Sequence, residues 1–210
     1  MLAFEEQAVK DGFCFVIGID EAGRGPLAGP VVAAAVLLKT TSFDNRITDS
    51  KKMTERQRQK AFIEIFDRGY VGIGIMNEAV IDSVNILQAT FLAMRNAAVQ
   101  LINQLPLDIR CDNNFNRQVL LLIDGPHFKS DLPYLNQPIV DGDAKSLSIA
   151  CASIVAKVYR DRILTKYHCI YPQYGFHSHK GYPTSAHRQA IERNGLSPIH
   201  RRSFHVKSVV

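Results

Sequence analysis

The sequence predicts an α/β fold, a mixed sheet flanked by helices with a basic C-terminal helical segment, and three observations carry that reading. Short apolar, β-rich runs gather early in the chain and then alternate with segments of helical period, the order of a helix-covered sheet. One run, QVLLLIDG at 118–125, is apolar almost without interruption, as a strand buried on both faces must be. The 210 residues, 46% apolar and 21% charged, suffice to bury one sizeable core without disulfide or metal staples.

The elements follow in chain order. FCFVIGID (13–20) and PVVAAAVLL (30–38) read as two strands joined by a Gly/Pro loop. TERQRQKAFIEIFDRGY (54–70) opens with Thr54 and Gln57 at capping-box spacing and repeats apolar residues at 62, 65, 66 and 70, which predicts a helix. YVGIGIM (70–76) is a third strand. From 82 to 103 the apolar positions 84, 87, 91, 94, 98 and 101 keep a helical period until Pro106 ends it. After the 118–125 strand come a short strand at Gln137–Val140 and a helix over 146–164, where Leu147, Ala150/Cys151, Ile154 and Val158 recur at helical spacing. Asp143 is expected to begin that helix, near Ala144. With no internal repeat and no linker, residues 1–210 read as one domain, with 165–210 as a C-terminal extension.

Cysteines 14, 111, 151 and 169 are scattered without a C-x-x-C pair, so neither a disulfide framework nor a zinc site is indicated. The amino terminus lacks a basic stretch followed by an apolar one, and the runs VVAAAVLL and VLLLI are far too short to span a bilayer. A cytoplasmic protein with no membrane partner is expected. The formal charge of +5 is unevenly spread: residues 162–210 hold eight Lys/Arg against the single acid Glu192, and six of the seven histidines. A basic segment on a near-neutral body suggests a polyanionic partner, with solvated surface charge as the alternative.

The chemistry concentrates in carboxylates. Asp20 and Glu21 end the first strand and Asp124 ends the strand VLLLI. Residues just past such strand ends line a shared crevice, so acids distant in sequence converge there, and Asp143 is a further candidate. Singly each has an ordinary reading: Asp124-Gly125 as a turn, Asp143 as an N-cap, Asp20 and Glu21 as loop charges. Jointly they repel one another unless a cation lies between them, and oxygen-only ligands favour Mg²⁺ or Mn²⁺ over zinc. The following Gly23-x-Gly25-x-x-x-Gly29 loosely matches a dinucleotide fingerprint, but Pro26 and Pro30 interrupt the helix that should follow and no G-K-[ST] is present. His177-Ser-His179 and His187 could imitate a metal cluster; without cysteine or a matching acid motif, phosphate-facing or solvated histidines are the expectation. Tyr171, Tyr174, Phe176 and Tyr182 interleave with Lys180, His187, Arg188, Arg193, Arg201 and Arg202, as surfaces that track a nucleic-acid backbone do, although several of these aromatics must be core. Ser50 and Lys51 are plausible phosphate contacts, with a turn or cap as the alternative.

Several segments then match a known family in order. GIDEAGRGPLAGP (18–30), Asp49-Ser50-Lys51, Leu122–Gly125, Gly142–Ser146 with Ala152–Lys157, Lys180-Gly181-Tyr182 and His200–Phe204 together resemble bacterial ribonuclease HII. The resemblance runs from Val16 to Phe204. It implies a ribonuclease H-like catalytic domain in which four acids, mapping to Asp20, Glu21, Asp124 and Asp143, bind two divalent ions, Mg²⁺ or Mn²⁺. The activity implied is hydrolysis of the phosphodiester 5′ to a ribonucleotide in RNA–DNA hybrids and in DNA duplexes with embedded ribonucleotides, a function in ribonucleotide excision and DNA repair, carried out by a monomer. The Gly23-Arg24-Gly25 loop matches the segment that senses the 2′-hydroxyl, Tyr182 the tyrosine that packs on the junction sugar, and Ser50, Lys51 and Lys180 further substrate contacts; 165–210 becomes a substrate-binding extension. Two positions depart from the family pattern: Pro126 stands where Asn is usual and Asp141 where Lys is usual, and a restructured 126–138 loop is expected. Phosphodiester hydrolysis by two ions needs carboxylates and no histidine base, so the chemistry fits these residues without the family. A dinucleotide-dependent oxidoreductase and a non-catalytic basic nucleic-acid-binding module are the rival readings.

Overall fold

The computed structural model describes residues 1–128 and 131–204. The chain starts with a helix not expected from its residues, α1 (Ala3–Lys10), followed by the hairpin β1 (Phe15–Ala22) and β2 (Val31–Leu38). Helix α2 (Glu55–Arg68), β3 (Gly69–Met76) and α3 (Glu78–Ile102) follow, then the short helices α4 (Leu107–Arg110) and α5 (Phe115–Gln118) and the strands β4 (Val119–Asp124) and β5 (Leu135–Ile139). Helices α6 (Gly142–Lys145), α7 (Leu147–Ile170), α8 (Phe176–His179) and α9 (Ser185–Asn194) complete the described residues. None of the described helices is long and apolar enough to cross a membrane.

The five strands form one mixed sheet in the order β3-β2-β1-β4-β5. The pairs β1/β2 and β2/β3 are antiparallel, and β1/β4 and β4/β5 are parallel. Alternation along β1 and β2 decides which helix each residue meets. Ile17, Ile19, Ala33 and Ala35 pack with Ala93, Met94 and Leu101 of α3, whereas Ala34 and Val36 pack with Ile65 of α2 and Ile154 and Val155 of α7. The expected mixed α/β architecture is therefore a three-layer one. At Gly18 the backbone of α7 comes so close that a Cβ would lie 2.2 Å from the Ser148 carbonyl carbon, so glycine is required there.

Local signals explain most boundaries. The Thr54–Gln57 capping box forms as its spacing predicts. Helix α3 begins earlier than expected because the Asn77 side chain caps it, and it kinks at Asn85 (φ 68°), whose Oδ1 accepts the N–H groups of Leu87 and Gln88. Strand β5 is an exposed edge holding Pro138, which an edge tolerates. Of the 126–138 loop, residues 129 and 130 lie outside the described residues.

One expectation is corrected. Asp143 does not begin the long helix. It lies inside the one-turn helix α6, behind Asp141 in the left-handed conformation (φ 55°), and Ser146 is extended (φ −115°, ψ 134°). The Ser146 hydroxyl accepts the Ile149 N–H and starts α7 afresh, so a local side-chain cap outcompetes continuation of the helix. Beyond α7 the C-terminal segment folds back on the glycine-rich loop: Ala28 packs with Leu164, Tyr174, Phe176, Ala190 and Ile199, and pairs with His200 in an isolated bridge.

Candidate functional site

Because β1 and β4 are parallel with Ile19 beside Ile123, Asp20 and Asp124 leave the sheet side by side at the same end. Asp20 shares its face with Val16 and Gly18 and turns toward α7, where the Ser153 hydroxyl bonds it; Ser153 Oγ is 2.9 Å from Ser50 Oγ. Asp20 Oδ1 also accepts the Glu21 N–H at 2.6 Å. Glu21 points the other way and pairs with Arg24 at 3.3 Å. Asp124 Oδ1 accepts the Gly142 N–H at 2.7 Å, which ties the end of β4 to α6 and brings Asp143 in. Lys51 Nζ lies 4.0 Å from Asp143 Oδ2.

Asp20, Glu21 and Asp143 are held in an unfavourable state as charges. Burial, then Glu21 and Asp124, push Asp20, 5% exposed, well above the usual carboxylate range. Burial and Asp124 raise Glu21 against the opposing pull of Arg24. Burial and Asp124 also raise Asp143, so the stabilisation expected of a helix N-terminus is outweighed. Burial works against the Lys51 charge, yet Asp143, Asp20, Asp49 and Asp124 outweigh it and hold its pKa above the ordinary lysine value. The crevice calls for positive charge beyond what its own side chains supply. Among the described residues no three His, Cys, Asp or Glu side chains are set as a cage for one ion. The acids instead flank two adjoining clefts. One, of about 200 Å³, is lined by Asp20, Glu21, Gly23, Arg24, Gly25, Ser50, Lys51, Ser153, Lys157 and Tyr182. The other, of about 120 Å³, shares Glu21 and Arg24 and adds Asp124, His127 and residues of α3.

The glycine loop owes its shape to two buried arginines. Arg201 donates to the carbonyls of Gly29 (2.9 Å), Arg24 (3.0 Å) and Gly23 (2.6 Å). Arg160 donates to those of Pro30 (3.0 Å), Ala28 (3.1 Å) and Lys180 (3.0 Å), so it joins this loop to the Lys180–Tyr182 segment. At Gly23 φ is +102° and a Cβ would lie 2.1 Å from Arg160 Nε, so only glycine fits. The loop runs into strand β2 rather than a helix, unlike a dinucleotide-binding turn. Tyr182, 42% exposed, closes the cleft opposite Gly25, with Lys157 Nζ 5.8 Å and Arg160 Cζ 5.9 Å from its ring centre.

The residues singled out in the sequence therefore fall into place unequally. Asp20, Glu21, Gly23, Arg24, Gly25, Ser50, Lys51 and Tyr182 line one cleft, and Asp124 and Asp143 adjoin it. Lys180 does not join them; its ammonium donates to the His177 carbonyl. Arg201 is not a surface cation of a nucleic-acid-tracking tail, being 2% exposed under the loop. His187 is likewise neither solvated nor phosphate-facing but buried beneath Tyr182, beside His200. The sequence reading missed Ser153, Lys157 and Arg160, which recur at i, i+4 and i+7 on one face of α7, a polar stripe that could have marked the helix face meeting the site.

The ribonuclease HII family model matches residues 17–207. The chain is 50% identical to ribonuclease HII of Ruminiclostridium cellulolyticum over all of this chain and 77% of that protein. Its fold matches ribonuclease H2 of Pyrococcus horikoshii OT3 with a TM-score of 0.68 at 26% identity, covering 91% of this chain and 94% of the other. It also matches Bst-RNase HIII, solved in complex with Mn²⁺, with a TM-score of 0.61 at 14% identity, covering 90% and 65% of the two chains.

Proposed function

This chain belongs to the ribonuclease HII family, ribonuclease H-type endonucleases acting on RNA–DNA substrates, and from that premise we propose that it hydrolyses the phosphodiester on the 5′ side of a ribonucleotide, in hybrids and in DNA duplexes with embedded ribonucleotides. The observation that carries the proposal is the convergence of Asp20, Glu21, Asp124 and Asp143 beside the Gly23–Gly25 loop, with three of these carboxyls raised in pKa by burial and mutual repulsion. Such a set fits two Mg²⁺ or Mn²⁺ ions, which prefer one or two carboxylates each and complete their shells with water and substrate phosphate rather than an all-protein cage. The presence of Mn²⁺ in Bst-RNase HIII, a protein of like fold, agrees with this. When bound, two such ions supply an activated water and stabilise the leaving oxygen.

The chain's own residues do the rest. Asp20, bonded by Ser153 and the Glu21 amide, is held rigidly, and the Gly142 amide holds Asp124 in the same way. Lys51, exposed beside Asp143, contributes positive charge for a phosphate of the cleaved strand. The Gly23-Arg24-Gly25 segment lines the cleft, its Gly23 and Arg24 carbonyls held by Arg201, and its exposed Gly25 end meets the 2′-hydroxyl, the group that separates RNA from DNA. Tyr182 stands across the cleft to pack on the neighbouring sugar. Residues 165–210 act as the substrate-binding extension of a single domain that works as a cytoplasmic monomer.

Asp124→Asn tests the assignment. Asn keeps the shape and loses the charge, so the variant should bind a ribonucleotide-containing duplex as the wild type does while turnover collapses. Near-normal cleavage at saturating Mg²⁺ would remove Asp124 from the site.

A further inference from the structure

Two histidines that the chemistry above does not use form a chain ending at Tyr182. The Ser197 N–H points at His200 Nδ1 at 2.8 Å, so that nitrogen is an acceptor and the ring proton is on Nε2. His200 Nε2 is 3.0 Å from His187 Nε2, which must then accept. The remaining proton of His187 is on Nδ1, 2.9 Å from the Tyr182 carbonyl, to which it donates. His187 is 0% exposed and His200 2%, and Phe176 packs edge-on against the His187 ring at 5.5 Å. Burial holds both rings at about 4, so each is neutral and carries the one proton this chain requires. On the other side of the same residue, His179 Nδ1 accepts the Gly181 N–H at 3.2 Å while its Nε2 donates to the Tyr174 carbonyl. The rings of His179 and His187 stack at 4.3 Å. Lys180 has positive φ, a conformation a non-glycine residue keeps only where its surroundings impose it, so this turn is set by its partners.

We propose that His187, oriented by His200, is a positioning residue for discrimination between ribose and deoxyribose: by holding the Tyr182 carbonyl it fixes the height at which the Tyr182 ring meets the sugar opposite the Gly23–Gly25 loop. The inference rests on the reading of Tyr182 as the residue that packs on the junction sugar. The tautomer matters because with the proton on Nε2 instead, His187 would face the His200 N–H with a second N–H and the Tyr182 carbonyl with a lone pair.

Two substitutions separate the ends of the ring. His187→Asn keeps a donor where Nδ1 stands, whereas His187→Gln keeps an acceptor where Nε2 stands and loses the donor to Tyr182. The quantity read is kcat/KM on a duplex with one embedded ribonucleotide divided by kcat/KM on a continuous RNA–DNA hybrid. His187→Gln should lower this ratio about tenfold, as expected for one lost bond to a carbonyl that keeps the Thr184 N–H, and His187→Asn should restore it to within about twofold of wild type. In a Tyr182→Ala background His187→Gln should lower it no further. An unchanged ratio in His187→Gln, or equal losses in Gln and Asn variants, would overturn the proposal if Tyr182→Ala itself shifts the ratio. If Tyr182→Ala leaves it unchanged, the reading of Tyr182 fails first and takes the proposal with it. Nitrogen NMR of the wild-type protein gives an arm independent of any variant's folding: a His187 proton on Nδ1 is required, and one on Nε2 refutes the chain.

Discussion

Replacing Arg201 with lysine isolates what a buried fork does for the glycine loop. The guanidinium makes three hydrogen bonds, to Gly29, Arg24 and Gly23, from a position 2% exposed, and burial followed by the nearby Arg160 charge lowers its pKa to about 9. It has no carboxylate within ion-pair distance among the described residues, so apart from a cation–π contact with the Phe204 ring at 5.0 Å its worth lies in those carbonyls. Lysine keeps the charge but presents one nitrogen on a shorter reach, enough for one of the three. Two charge-assisted bonds are lost at about 1.5 kcal/mol or more each, so the fold should weaken by about 3 kcal/mol, a large share of a typical stability of about 5–15 kcal/mol. The Gly23 and Arg24 carbonyls lose their anchor at the same time, so kcat/KM on a single embedded ribonucleotide should fall as well, measured at a temperature where the variant is folded. Urea unfolding gives the first quantity and steady-state cleavage the second. A destabilisation below about 1 kcal/mol together with wild-type cleavage would refute the idea that this fork shapes the loop.

Three further outcomes follow from the same geometry. Asp143→Asn should be inactive and Asp161→Asn should retain substantial activity, because Asp161 pairs with Lys157 at 2.9 Å and lies fourteen residues into α7, about 21 Å along it at roughly 1.5 Å per residue; the reverse order of damage would refute the assignment. Tyr182→Ala should lose more activity on a single embedded ribonucleotide than on a continuous hybrid with thermal stability little changed, since the ring is 42% exposed, and equal losses or a large drop in melting temperature would make it a structural residue. His187 and His200 titrate at about 4 in the fold against an ordinary 6.5, so the unfolded chain binds more protons between these values; their contribution is whole above about pH 6.5 and falls as pH drops toward 4, by about 2 kcal/mol per ring at pH 5. Urea unfolding at pH 7 and pH 5 should therefore show a smaller fall for His187→Asn than for wild type, and equal falls would contradict the neutral pair.

Much of this was legible in the residues, and the reasons for the rest are physical. Strands announced themselves because burial on both faces leaves only apolar residues, as in VLLLI, and helices because Thr54/Gln57 and the 3.6-residue period are local signals. The meeting of Asp20 with Asp124 follows from a parallel pairing that strand order alone suggests. The break at Ser146 was hidden because a serine cap and a helical serine look alike in sequence until the backbone chooses between them. Arg201 and His187 were misplaced because a buried arginine or histidine carries no sequence mark of its partners: here these are backbone carbonyls some 170 residues away and another ring thirteen residues away. Helix α1 was missed because its docking depends on Glu5 accepting from Ser146 and Ser148, a contact between the two ends of the core.

The central claim is metal-dependent cleavage on the 5′ side of a ribonucleotide, and one measurement meets it directly. An end-labelled DNA duplex with a single ribonucleotide, incubated with the protein and Mg²⁺ and resolved beside size markers, should be cut once, immediately 5′ to that ribonucleotide. The cut should disappear with chelator, and an all-DNA duplex of the same sequence should stay intact. Cleavage on the 3′ side, cleavage that survives chelation, or equal cutting of the all-DNA duplex would contradict the account.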